Sequence, residues 1–361
     1  MADPTTTNYG LTKPTVGADP DTWGGLLNAN FDAIDTAMYA GAVAGFRNRI
    51  INGACLVDQY GSVTHSTAGY GGVDRFGCGM SGTGGSITQS ASTFTFGGVT
   101  KPCVKALIAT AFTSIASGNF YEGIKQTIEG YNAYDFVGQP FAVSFLFNTN
   151  VTGTYSVSIR DGAPGNSYVT TFSATANTPQ RVTVLVPASS SIVIPASASS
   201  GLVVAIGALN TGTFQAATLN AWTSGNFISA STNTNYGSTT NNFIEVAELQ
   251  VELGTVATPF ERRPYVTELE LCCRYYVGVI QFVLNGSNAT SAASVGGVMQ
   301  LPTAMRASPS SAINTNSSSG VSTPVIAGLA SPGSDRLFCS ATTTAAGGYS
   351  VNVTWTLNAE L

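Results

Sequence analysis

The chain has 361 residues, enough for two or three domains, and its 43% hydrophobic content can supply each with a core. Only 9% of residues are charged, against roughly 25% in an ordinary soluble protein, and Gly, Ser, Thr, Asn and Ala dominate the rest. A net charge of −5, with four lysines and ten arginines spread along the chain, excludes the clustered cations of a nucleic-acid-binding surface.

Residues 1–19 lack periodicity and hold several turn formers, so they read as an extended arm that needs a partner to become ordered. A helix is predicted next, with Asp19 as its cap, Pro20 at the first helical position and Asp21 in the first turn. Its apolar positions, Trp23, Leu27, Phe31, Ile34 and Met38, form a narrow stripe near the seam of a coiled coil. Parallel self-association, as a homotrimer, is the expectation. One helix folded back on its own domain is the competing reading, but Gly24, Gly25 and the small flanking residues leave little else to bury.

From Phe46 the pattern turns to β, with runs such as SITQSASTFTF, FAVSFLF, QRVTVLV and FIEVAELQVEL separated by turn formers. Strands at this spacing predict a mainly β chain in three parts. Residues 1–45 are an attachment arm with an oligomerising helix, 46–273 an antiparallel, jelly-roll-like β-sandwich, and 274–361 a smaller C-terminal β-domain. The tract 119–128 is the one place open to a helical turn. TELELCCRYYVGVIQFVL reads as strand and carries the chain out of the sandwich. No repeat of fixed period suggests a β-helix or propeller.

The six cysteines, at 55, 78, 103, 272, 273 and 339, have no metal-ligand spacing, and the single histidine, His65, has no ligand neighbour in sequence. No metal and no cofactor is expected. The thiols read as buried groups of a chain folding in a reducing cytoplasm. After release into oxidising surroundings, adjacent Cys272 and Cys273 are the candidates for a disulfide. On a strand one of them would face a neighbouring chain and the other the core. No secretion signal and no membrane span is legible, so neither export nor membrane insertion is expected.

Three segments carry a resemblance. NYGLTKPTVGADPDTWGGLLNANFDAIDTAM is similar to the N-terminal segment of phage tail-fibre and related virion proteins. RNRIINGACLVDQYGS, followed by Asp74-Arg75-Phe76, resembles the opening of their β-sandwich. LQVELGTVATPFERRPYVTELELCCRYY, followed by LPTAMRASP, resembles its last strand and exit. The match departs at Leu253 and at Cys273, where a polar residue is usual. It implies a structural and adhesive fibre that stays with the virion, is assembled in the host cytoplasm, contacts other virion proteins through residues 1–45, and meets a surface glycan or receptor. A purely architectural collar, neck or head fibre, or a connector, is the alternative.

Within the motifs, Pro259 and Pro264 mark an irregular exit from an outer strand. Glu261, Arg262 and Arg263 read as a solvated or salt-bridged hinge between the two β-domains rather than a ligand contact, Asp74-Arg75 as a loop pin with a glycan contact as the alternative, and Tyr275 and Tyr276 as core and interface anchors. For a glycan the candidate contacts are Trp222, Tyr236, Asn241 and Trp355, because rings stack on pyranose faces while amides bond their edges. A glycan-degrading enzyme would need two carboxylates of tuned acidity. Glu122 with Glu129 could meet only if a helix formed there, and Glu245 with Glu248, three apart on a strand, should face opposite sides. The expectation is no enzyme.

Overall fold

The computed structural model describes residues 3–6, 11–15, 21–42, 46–82, 84–112, 115–288, 290–329 and 335–361, without the side chains of 35–42 and 327–329. The chain divides into two compact units, 1–47 and 48–361.

In the first unit the helix Trp23–Ala42 follows a turn at Asp21 and Thr22, and Leu26 N donates to Thr22 O at 3.1 Å. The helix therefore begins later than the Asp19-Pro20 signal predicts, and that dipeptide lies outside the described residues. The arm is not extended either. Thr6 N donates to Leu11 O at 2.9 Å and Lys13 N to Pro4 O at 2.8 Å, closing a hairpin bridged at Thr5 and Thr12. Asn30 fastens it to the helix, because its amide accepts from Thr12 N at 2.9 Å and donates to Thr12 O at 2.6 Å. One side chain on the helix thus supplies the partner that the arm's backbone needs.

Among the described residues of the second unit, two large antiparallel sheets form the expected mainly β, jelly-roll-like sandwich. One has the spatial order Val63–His65, Ser86–Phe96, Val99–Thr110, Phe243–Leu253, Phe141–Thr149, Gln180–Val186. The other runs Trp222–Ser224, Asn166–Ala174, Gly153–Asp161, Ser200–Ile206, Ile124–Glu129, Gly77–Cys78, Gly69–Tyr70. Alternation dictates the core: Val143, Phe145 and Phe147 point inward against Tyr155, Val157 and Val204. The even-numbered residues of that central strand point outward, where Leu146 joins Phe94, Cys103 and Ala247 in a second small cluster. The tract open to a helical turn instead makes the strands Phe120–Tyr121 and Ile124–Glu129.

The segment read as a strand past Glu268 is in fact the helix Tyr265–Cys273, and the strand Tyr276–Asn288 begins only after it. Glu-Leu-Glu-Leu imitates a two-residue period, but Leu269, Cys272 and Cys273 make the three-and-four spacing of a buried helical stripe. Glu and Leu are also strong helix formers, and Pro264 sits at the cap, where its missing N–H costs nothing. Cys272 consequently packs with Ile51, Val57 and Tyr275, while Cys273 enters the core of the C-terminal domain. Both are buried free thiols, so neither faces a neighbouring chain, and burial pushes Cys273 up to about 11. The C-terminal domain pairs two three-stranded sheets around Phe282, Met299, Leu337, Val353 and Trp355.

Candidate functional site

The motif residues, some of them 217 positions apart, converge on the junction between sandwich and C-terminal domain. Asn48 accepts from Ile50 N and Val251 N, both at 3.0 Å, and its own N–H donates to Glu261 Oε2 at 2.6 Å. Arg263 donates to the carbonyls of Asn48 and Ile50 and to Glu268 Oε1, the last at 3.2 Å. Glu268 in turn accepts from Asn52 N at 2.7 Å, and Asn52 holds the Val57 and Asp74 carbonyls. Asp74 accepts from Gln59 N and Nε2 at 2.7 and 2.6 Å. Arg75 pairs with Glu360 and lies 3.5 Å from the Tyr275 ring centroid. Tyr275 donates to Glu129 Oε2 at 2.7 Å, Arg274 pairs with the same carboxylate, and Tyr60 stacks on Tyr276 at 3.6 Å. Nearly every charged group here is buried and spent on another part of the chain. The motifs hold two domains together: Arg263 and the paired tyrosines sit at the junction as the sequence suggests, Asp74 pins the loop at Gln59 as expected, and Arg75 goes beyond a loop pin by reaching Glu360.

Arg262 diverges from this junction and reaches the outer face of the six-stranded sheet. Along the strand Phe243–Leu253 the pairing runs Ala247 to Leu146 and then Gln250 to Ser144, so Glu248 and Leu249 together oppose Phe145. This is a β-bulge, and Glu248 adopts φ +49° within it. The bulge lets Leu249 fill the core while Glu248 stays on the outer face with Glu245, which overturns the expectation of opposite faces. Lys101 donates to Glu248 Oε1 at 2.9 Å, Arg181 to Oε2 at 2.6 Å, and Arg262 also to Oε1. Beside it Glu245 accepts from Ser92 at 3.0 Å and Asn148 at 2.8 Å, with Lys105 at 3.5 Å. Lys105 lies 4.0 Å from the Phe243 ring centroid and the Arg262 guanidinium 5.5 Å from that of Phe260. Further along the strand, Glu252 accepts from Gln250 and Thr258.

Of the expected glycan contacts, Tyr236 is buried in the sandwich core with its hydroxyl donating to Gly207 O at 2.7 Å, and Trp355 is buried in the C-terminal core. Neither ring face is open to a sugar. Trp222 is half-buried at a sheet edge, packed near Phe141 and Tyr168, with its indole N–H on Pro187 O at 2.9 Å. Asn241 is exposed in a left-handed turn at φ +66°, where its carbonyl accepts from Asn150. Exposed rings that sequence reasoning missed include Tyr131 and Tyr134, on successive 3-10 turns at Gly130–Asn132 and Tyr134–Phe136. Their signal was the turn-forming Gly, Asn and Asp around them. The stripe residues Trp23, Leu27, Phe31 and Ile34 are all exposed, Phe31 by 58%, and the Met38 side chain lies outside the described residues.

The carboxylates weighed for hydrolysis are spoken for. Burial raises the Glu248 carboxyl, but hydrogen bonds from Lys101 and Arg181 outweigh it and leave it below the ordinary range. Burial of Glu122 is likewise overcome by Arg160 and Lys125, and that of Glu129 by Arg274 and Tyr275. A glycosidase acid needs the opposite shift. Burial lowers His65, so its ring is neutral near pH 7. Among the described residues no three His, Cys, Asp or Glu side chains gather as a metal site, and no helix is long and apolar enough to cross a membrane.

No protein-family model and no curated protein matches the chain. Several solved structures align loosely with part of the chain. A family 22 carbohydrate-binding module from Clostridium thermocellum aligns at TM-score 0.30 and 11% identity, covering 52% of this chain and 92% of its own. A xylan-binding domain from Paenibacillus barcinonensis aligns at TM-score 0.28 and 10% identity, covering 56% and 99%. A cyclase from Fischerella sp. aligns at TM-score 0.28 and 9% identity, covering 59% and 96%. Neither the modules' ligands nor the cyclase's reaction transfers to this chain from overlaps of this quality.

Proposed function

We propose that the chain is a structural and adhesive fibre subunit of a bacteriophage virion, attached through residues 1–45 and presenting its β-domains to glycans of the host surface, without enzymatic activity. The observation that carries this reading is the convergence of the motifs. Two of the three segments that resemble virion fibre proteins interlock at one buried junction through Asn48, Asn52, Asp74, Arg75, Arg263 and Tyr275, which supports reading them together. The third segment holds the exposed apolar stripe of a helix suited to self-association. A body with few charges and many hydroxyls and amides, an open sheet face with exposed arginines, and exposed tyrosines suits sugar contact.

The purified chain, incubated with host cells before and after periodate oxidation of their surface sugars, tests the adhesive role. Binding that oxidation abolishes supports it. Absence of binding to untreated cells contradicts it, and immunogold labelling of a collar, neck or head fibre would then favour the architectural role.

A further inference from the structure

We infer that the outer face of the six-stranded sheet binds an acidic saccharide, one bearing carboxylate, sulfate or phosphate groups, with Arg181 and Arg262 as its anion-binding groups; this rests on the glycan-recognition reading above. In this cluster the single Glu248 carboxylate lies beneath three cations. Its side chain is 7% exposed, whereas Arg181 and Arg262 above it are 36% and 54% exposed. The chemistry offered to solvent is therefore cationic, on a protein whose net charge is −5.

Glu248 does not exhaust those groups. A guanidinium carries five N–H donors in a planar fork, and each arginine gives one nitrogen to Glu248. Among the described residues no other acceptor takes the remaining donors, and a fork of this kind matches a carboxylate, sulfate or phosphate. The carboxylate beneath holds both side chains in place, so little conformational entropy is left to lose on binding.

A second observation on the same face points to a ligand. Ser144 Oγ and Asn148 Oδ1 are buried and have no hydrogen-bond partner among the described residues. Both belong to the outward-facing set of the strand Phe141–Thr149, Ser144 opposite Gln250 and Thr183, and Asn148 opposite Glu245. Orphaned polar atoms are costly in a folded protein, and a ligand's hydroxyls satisfy them. Phe96, half-buried on the same face and packed on buried Phe94, adds apolar surface for the non-polar side of a sugar ring.

The test measures binding of the intact protein to polygalacturonate, heparin and neutral dextran at low and high salt. Wild type is expected to bind at least one of the two acidic polymers, carboxylated or sulfated, more weakly as salt rises, and not dextran. Arg181→Gln with Arg262→Gln should lower that affinity by about ten-fold or more. Arg336→Gln, in the C-terminal domain, should leave it unchanged. Failure of wild type to bind either acidic polymer at low salt overturns the inference, as does equal binding by the double variant or an equal loss in Arg336→Gln. Host-cell adhesion separates the two proposals. Undiminished adhesion by the double variant overturns the acidic ligand and leaves glycan recognition standing, whereas no adhesion by wild type removes both.

Discussion

Glu129 shows how single buried groups set the character of the junction. It is almost wholly buried, accepts two hydrogen bonds from Arg274 at 3.0 and 2.5 Å, and takes a third from Tyr275 at 2.7 Å. Glu129→Gln leaves the Arg274 charge uncompensated and should cost about 2–4 kcal/mol in urea unfolding at neutral pH. Asp74 works in the opposite direction. Burial raises its carboxyl to about 6, despite hydrogen bonds from Gln59. The folded state therefore holds that proton more tightly than the unfolded chain, and stability from this group grows as pH falls from about 6 towards 3.8. Glu122, Glu129 and Glu248 are lowered, so their contribution is present above the ordinary value of 4.5 and disappears as pH falls below it. Thermal unfolding should show greatest stability in mild acid, and Asp74→Asn should flatten the acid-side gain while stabilising by about 1–2 kcal/mol at neutral pH. The structural use of Arg263 and Asp74-Arg75 was legible, because acids and bases packed among prolines and aromatics have few other uses. The burial of Tyr236 and Trp355 was not, since a ring on either face of a strand leaves the same letter in the sequence. Glu248 was misplaced for a different reason: one inserted residue reverses the alternation on which facing is judged.

The helix Tyr265–Cys273 ties the two cores of the body together. Leu269 packs against both the junction cluster and the C-terminal core. Leu269→Ala should cost about 2–3 kcal/mol in urea unfolding, and loss of a single shared transition would show that this helix couples the domains. Its helical nature was hidden by an alternating Glu-Leu run, and the three-and-four spacing of Leu269, Cys272 and Cys273 was the better guide. The N-terminal helix poses the converse case. Its existence and stripe were readable from apolar spacing, while its start was displaced from the proline signal, and the hairpin that Asn30 fastens to it left no periodic trace. Phe31→Glu should reduce self-association by placing charge in the stripe, with the far-ultraviolet circular dichroism of the β body unchanged.

The molecule has two units, one carrying a helix with an exposed apolar stripe and the other a β body whose motifs are spent on cohesion. Few charges are needed where hydroxyls and amides cover the strands, and many of the ion pairs present lie in the junction or on one sheet face. Sandwich architecture and C-terminal domain were legible because turn formers punctuate the strands. The open face was not, because it assembles Lys101, Arg181, Glu245 and Arg262 from four separate segments. The fibre reading depends most directly on assembly through residues 1–45. Light-scattering mass of the intact chain, and of the chain lacking those residues, tests it at low protein concentration. A mass of three subunits that falls to one on deletion is the predicted result, and an intact chain that remains monomeric would contradict it.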